Sequence, residues 1–358
     1  MMIKKSFAIL SAMIAVAFST ALLNAGAAPE SAGQILARLG KFSSEQRQAT
    51  LLEKAKVEGE VNFYSTLQAQ QIEPFLQVFR KRYPFIKALP TRVSGNRQLV
   101  RIQSEFNSGA HIVDVANGSP ELAAGLRKLG IIDPYQSPQR DFYVAPSKDK
   151  DGYFTSFYVM PIVLGYNSNL VKRADAPKNY EELAQAKWKG NIMLDDEAYE
   201  WFAVMLKHLG REKGLQYMRA MAKQDLRMVR GRTAQSQLLA AGERAIAINV
   251  SGPTTLDLKA RGAPVDQVIV DPYFSQPNKM VLARHAPHPH AAALFIDWAL
   301  SEEGQSTVTT FGRVSARKGV KQRFPELMDK EVFHADVEFI SPIMEQITKE
   351  FGQIFLGR

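Results

Sequence analysis

Three apolar runs along this chain stop in the same way, and that shared ending constrains the fold more than any other feature. Glu60–Tyr64 runs into Ser65-Thr66, His111–Ala116 into Asn117-Gly118-Ser119-Pro120, and Ala245–Val250 into Ser251-Gly252-Pro253. Each run has the composition of a buried strand, and each is followed by apolar residues at helical spacing. Strands alternating with helices predict an α/β fold with mostly parallel sheets. In such sheets ligands sit beyond the carboxyl ends of the strands, so Ser65, Thr66, Asn117, Gly118, Asn249, Ser251 and Gly252 become candidate ligand contacts. Plain N-capping of the next helix uses the same residue types, and both readings stay open.

The remaining punctuation repeats the theme. Ile86–Arg92 reads as a strand, and the turn Ser94-Gly95-Asn96 leads into a helix over Arg97–Asn107, which puts Asn96 and Arg97 at a helix start where anions bind. Asn191–Leu194 is a strand ending in Asp195-Asp196-Glu197-Ala198-Tyr199, an acidic set that suits a hard cation or an amine as well as it suits a helix N-terminus. Thr233 caps a helix that Gly242 ends, with Arg232 just before the cap. Val265–Val270 and Lys279–Leu282 complete the strands, with Asp271-Pro272-Tyr273 turning the chain back. Tyr153–Val159 and Ile162–Tyr166 flank Pro161 as extended chain between two lobes. The helices end with Pro289–Leu300 and a group near Val332–Phe355.

Composition narrows the class. With 46% hydrophobic and 23% charged residues in 358, the chain is globular and long enough for about two domains. Lys4 and Lys5, an apolar run and Ala25-Gly26-Ala27 form a secretory signal with cleavage expected after Ala27. The domain expectation is therefore 1–27 signal peptide, 28–158 first lobe with a helical extension, 159–273 second lobe, and 274–358 the returning first lobe with C-terminal helices. There are no cysteines, which removes disulfides and thiolate metal sites. The net charge is +9, and about seven remain once Lys4 and Lys5 leave, a balance that favours anionic ligands. The basic residues are scattered without interleaved aromatics, so no nucleic-acid partner is expected.

No catalytic constellation emerges. His285, His288 and His290 alternate with prolines in a loop, without HExxH spacing, and no G-x-S-x-G elbow is present. The expectation is a non-enzyme with no cofactor and no resident metal.

The order of segments resembles periplasmic solute-binding proteins of ABC importers, of the ferric-iron type within the two-lobed class. The passages GEVNFYST, HIVDVANGSPELAAGLRKLGIIDPY, GYNSNLV, LAQAKWKGNIMLDD, QLLAAGERAIAI, ALFIDWALSEEGQ and FGRVSAR carry the resemblance, which spans about Glu58 to Arg317. It implies a two-lobed periplasmic binding protein, each lobe a mostly parallel sheet flanked by helices, with two hinge strands, a monomer that traps a small solute and delivers it to a membrane permease. Ferric members hold iron through paired tyrosines after the strand that ends here in Asn249-Val250-Ser251-Gly252, where this chain has none. The position of their histidine falls near Gln68, and that of their acid near Asn117-Gly118. The resemblance thus implies a binder of an organic anion, with a ferric or other metal carrier as the alternative. The candidate ligand set gains Arg97 and Arg232 for charge, and Tyr158, Tyr199 and Tyr273 to cover an apolar or ring portion, with Glu197 beside them.

Overall fold

The computed structural model describes residues 30–358 apart from Ser94 and Asp336, so the signal expected over 1–27 lies outside the described residues. The chain opens with helices α1 (Ala32–Ala37) and α2 (Ser44–Glu58), the latter held at its start by a reciprocal Ser43–Gln46 cap and stopped by Gly59 in the left-handed region (φ 68°). Strand–helix alternation follows: β1 (Glu60–Ser65), α3 (Ala69–Arg82), β2 (Lys87–Arg92), α4 (Asn96–Asn107), β3 (Val115–Gly118), α5 (Pro120–Lys128) and the short β4 (Ile132–Asp133). A long strand, β5 (Thr155–Asn167), leads to β6 (Ile192–Asp195), α6 (Tyr199–Leu209), α7 (Arg211–Ala222), β7 (Arg227–Val229), α8 (Arg232–Ala240), β8 (Ile246–Ser251), α9 (Gly252–Ala260) and β9 (Val265–Val268). A second long strand, β10 (Phe274–Ala283), returns to α10 (Pro289–Leu300) and α11 (Glu302–Thr310), and the chain finishes with β11 (Phe333–His334), α12 (Val337–Ile340) and α13 (Met344–Phe351).

The sheet order is β2-β1-β3-β10-β5-β8-β6-β7. The outer wings are parallel, β2-β1-β3 on one side and β8-β6-β7 on the other. Strands β5 and β10 run antiparallel to each other at the centre, and each reaches into both halves. Pro161 sits inside β5 opposite Ser275, so the two stretches expected around it are one strand. Likewise β10 begins five residues before the expected Lys279, because Ser275-Gln276-Pro277-Asn278 gains strand geometry from lying alongside β5.

Two cores flank this centre. The first gathers Phe63, Phe75, Phe79, Phe157, Phe295 and Trp298, with ring centroids as close as 4.7 Å. The second packs Tyr180, Trp201 and Phe202 over Ile192, Leu194, Ile246 and Ile248, while Met193, Leu239, Ala247 and Val250 fill the opposite face of that wing. The C-terminal helices, expected beside the returning first lobe, supply Ile340, Ile347 and Phe351 to the second core.

Candidate functional site

The site is floored by the two long strands. Tyr158 lies directly opposite Asn278, and Met160 opposite Gln276. Residues two apart on a strand share a face, about 7 Å from one another, so Gln276 and Asn278 stand side by side. Each is claimed from a different half of the molecule. From the first half, Asn117 at the end of β3 donates from Nδ2 to Asn278 Oδ1 (2.6 Å), and both amides donate to Thr66 Oγ1 at 3.0 and 3.1 Å. From the second, Arg232 at the start of α8 donates to Gln276 Oε1 (2.8 Å) and Glu200 Oε2 (3.3 Å), while Gln276 Nε2 donates to Glu200 Oε1. Gln68 Nε2 reaches across to Thr233 Oγ1 at 3.4 Å.

The direction of these bonds can be followed. Thr66 Oγ1 accepts twice, which uses both lone pairs, so its own proton goes to the Tyr158 hydroxyl 3.1 Å away. The Tyr158 proton then has no other acceptor among the described residues. Arg313, 6% exposed, lies 5.0 Å over the same ring and donates to Gln71 Oε1, yet its Nε has no partner. The Nε of Arg232 is also unpartnered. Unmet acceptors stand at Asn117 Oδ1 and Glu121 Oε1, at the end of β3 and in the first turn of α5. Buried polar groups are normally paired, and although unpartnered atoms occur elsewhere among the described residues, these four lie on elements that meet over β5 and β10 and are free to bond another molecule.

Asn249 adds a strained position. On β5, Val163 and Gly165 are two apart, but their partners Val250 and Ala247 are three apart, so β8 carries one extra residue. Asn249 sits in that bulge with φ 66°, fully buried, with neither amide atom bonded. Bulges of this kind recur beside binding sites, where they re-aim a side chain. Burial, and then the neighbouring Glu200, push the Glu121 carboxyl up to about 7, against the pull of Ser119 and Arg232. Burial also raises Glu200, and Arg232 holds part of that rise back.

Of the residues expected from sequence, Thr66, Asn117, Tyr158 and Arg232 come together here. Ser65 stands beside Thr66, but its hydroxyl accepts from Leu67 N. Gly118 is required because an added Cβ would lie 2.2 Å from Leu122 Cδ2. Asn96 and Arg97 are exposed and line a surface groove along α4 with Val100 and Arg101. The acidic set bonds mostly locally: Asp195 accepts from Glu197 N and Gly231 N, and exposed Arg230 pairs with Asp196 and Glu197, though Asp196 Oδ1 has no partner among the described residues.

Four of the expected residues have structural partners of their own. Tyr199 stacks edge-on against Phe351 at 5.2 Å, toward the C-terminal helices. Ser251 caps α9 through Thr254 N, and Gly252 lies where a Cβ would meet Leu327 Cδ2 at 2.8 Å. Tyr273 donates its hydroxyl to the Leu327 carbonyl at 2.7 Å, and burial raises it well above an ordinary phenol. Sequence reasoning missed Glu121, Glu200, Gln276, Asn278 and Arg313. Only Glu121, inside the quoted HIVDVANGSPELAAGLRKLGIIDPY, and Arg313, inside the quoted FGRVSAR, carried a hint. Among the described residues no three His, Asp or Glu side chains gather as a metal site.

A two-lobed α/β architecture with an unsatisfied polar site over paired central strands defines a solute-binding protein. The family model for bacterial extracellular solute-binding proteins matches residues 101–339, and the chain belongs to that family. An uncharacterized protein of Haemophilus influenzae is 24% identical over 265 residues, 70% of this chain and 75% of the relative. Among solved structures, the periplasmic binding protein AfuA of Actinobacillus pleuropneumoniae, with exogenous fructose-6-phosphate bound, is similar with a TM-score of 0.72 at 21% identity over 83% of this chain and 99% of that one. The apo ferric ion-binding protein A of Pasteurella haemolytica also gives 0.72, at 18% identity over 83% and 98%. The ferric binding protein of Campylobacter jejuni gives 0.71 at 18% identity over 82% and 99%.

Proposed function

We propose that this chain is the periplasmic capture component of an ABC importer, that its solute is an organic anion held between the lobes, and that the loaded form is handed to a membrane permease. The observation that carries the reading is the direction of the bonds at Thr66, which leaves the Tyr158 proton free beside Arg313, while Arg232, bonded to Gln276 on the neighbouring strand position, has an unmet Nε donor as Arg313 does. A carboxylate or phosphate accepts several charge-assisted bonds at once, and arginine is the side chain best shaped to give them. The sugar phosphate in AfuA supports an anionic cargo on this fold. Closure follows from where the contacts sit: Asn278 is held from the first lobe and Gln276 from the second, so a solute touching both favours the arrangement that brings the lobes together.

The test is a thermal-shift screen of organic acids, sugar phosphates and phosphonates, with neutral sugars, polyols and ferric citrate alongside, followed by titration calorimetry on every hit. A cleft ligand raises the melting temperature by mass action. Stabilisation by anions, weakened by R232M, is expected. Stoichiometric iron in the purified protein with no response to any organic anion overturns the proposal in favour of a metal carrier.

A further inference from the structure

The anion reading leaves part of the site unexplained, because one acid bonds Arg232 and a second lies within its electrostatic reach. Glu200, in the first turn of α6, gives one oxygen to Arg232 and the other to Gln276, so its bonding is complete. Glu121, in the first turn of α5, has a buried Oε1 to which no described residue donates. Four residues earlier, Asn117 is fully buried and already fixed in the site through Nδ2, and its Oδ1 has no donor either. The β3–α5 turn therefore presents two acceptors, while the donors wait on Tyr158, Arg232 and Arg313. Glu200 disfavours a second charged carboxylate at Glu121 in this desolvated place unless a cation or a proton intervenes, and a cation received on the β3–α5 turn can also satisfy the Asn117 oxygen.

Resting on the anion reading, we infer that the solute carries a protonated amine as well as its anionic group, the ammonium received by Glu121 Oε1 and Asn117 Oδ1 and the anion by Tyr158, Arg232 and Arg313. An ammonium has three donors on a compact charge and matches two acceptors on one turn. The site is then polar in a defined sense, cation toward the first lobe's β3–α5 turn and anion toward the arginines.

Matched pairs of probes differing only in the amine test this by titration calorimetry on the full mature chain: aminopropylphosphonate against propylphosphonate, glucosamine phosphate against glucose phosphate, and β-alanine against propionate. In at least one pair the amine member is expected to bind tenfold or more tighter. E121Q should shrink that ratio to within about threefold by weakening the amine member. The inference is overturned when deaminated members bind as well as their amine counterparts in every pair, or when E121Q lowers both members equally. That outcome leaves the anion reading standing. Failure of every member of every pair to bind overturns the inference, and the anion reading falls with it when the wider screen of organic anions is silent too. The comparison on the unaltered protein decides the question even where E121Q does not fold.

Discussion

Replacing Arg232 by methionine separates its two jobs, which are to neutralise Glu200 and to face the solute. The pair is well buried, with side-chain exposures of 17% for Arg232 and 9% for Glu200, and its contact is 3.3 Å. Removing one member of a buried pair costs about 3–5 kcal/mol. The single long contact and the partial exposure of Arg232 place this one near about 3 kcal/mol. The cost should depend on pH in a particular direction. Burial already raises Glu200 and Arg232 opposes the rise, so R232M raises it further. The folded variant then holds a proton over a pH range where the wild type does not. Because stability falls with pH wherever the folded state binds more protons, the deficit of R232M grows as pH rises and shrinks toward acid. Urea unfolding at pH 5 and pH 8 reads this directly. In R232M/E200Q the buried charge is gone, and the deficit should drop to about 1 kcal/mol, the worth of the lost Gln276 bond. Affinity for an anion should not return in the double variant. Equal deficits at both pH values, with strictly additive single changes, refute the reasoning.

Other expectations follow from the same geometry. Y158F removes the free proton and one charge-assisted bond, worth about 1.5–3 kcal/mol, so affinity for an anion identified in the screen should fall roughly ten- to hundredfold by calorimetry. N249G keeps the left-handed backbone and deletes the orphan amide. Its unfolding midpoint in urea should stay within about 1 kcal/mol of wild type, whereas binding weakens if the amide meets the solute. S251A should cost about 1 kcal/mol by uncapping α9 and leave affinity unchanged. His288 hydrogen-bonds the buried Asp114 at 2.9 Å, which lifts the imidazole above its usual 6.5. That stabilisation is full below pH 6.5 and lost as pH climbs through the raised value, and H288Q should abolish this dependence in thermal melts at pH 6 and 8.

The outer strands were legible because β1, β3 and β8 are apolar runs closed by small polar residues, and that ending also exposed Thr66 and Asn117. The centre was not. Ser275-Gln276-Pro277-Asn278 has no apolar alternation and contains a proline, so only the presence of β5 makes it a strand. Glu121 and Glu200 carry no local signal: each is one acid in the first turn of a helix, and the partner that sets Glu200 apart, Gln276, lies 76 residues further along the chain. Tyrosines were the least readable class. Tyr158 and Tyr273 each stand next to a phenylalanine and near a proline, yet one hydroxyl meets Thr66 in the site and the other serves a core carbonyl. Asn249 was placed at a strand end, but its bulge is a matter of register between β5 and β8, which a single segment does not encode.

The return of β10 to the centre also dictates an order of assembly. In the first core, β3 pairs with residues 279–282, and Arg47 on α2 reaches Asp297 on α10, 250 residues further along the chain. The second core draws its central strands from the continuous stretch 162–268. A chain emerging from the amino terminus therefore cannot finish its first-synthesised half until β10 and α10 exist, and contacts of such long sequence separation form slowly. Neither half is complete when its own strands exist: the first waits for β10 and α10, and the second for Ile340, Ile347 and Phe351 of the last helices, so until β10 and α10 arrive the segment from α2 to α5 remains an unfinished surface.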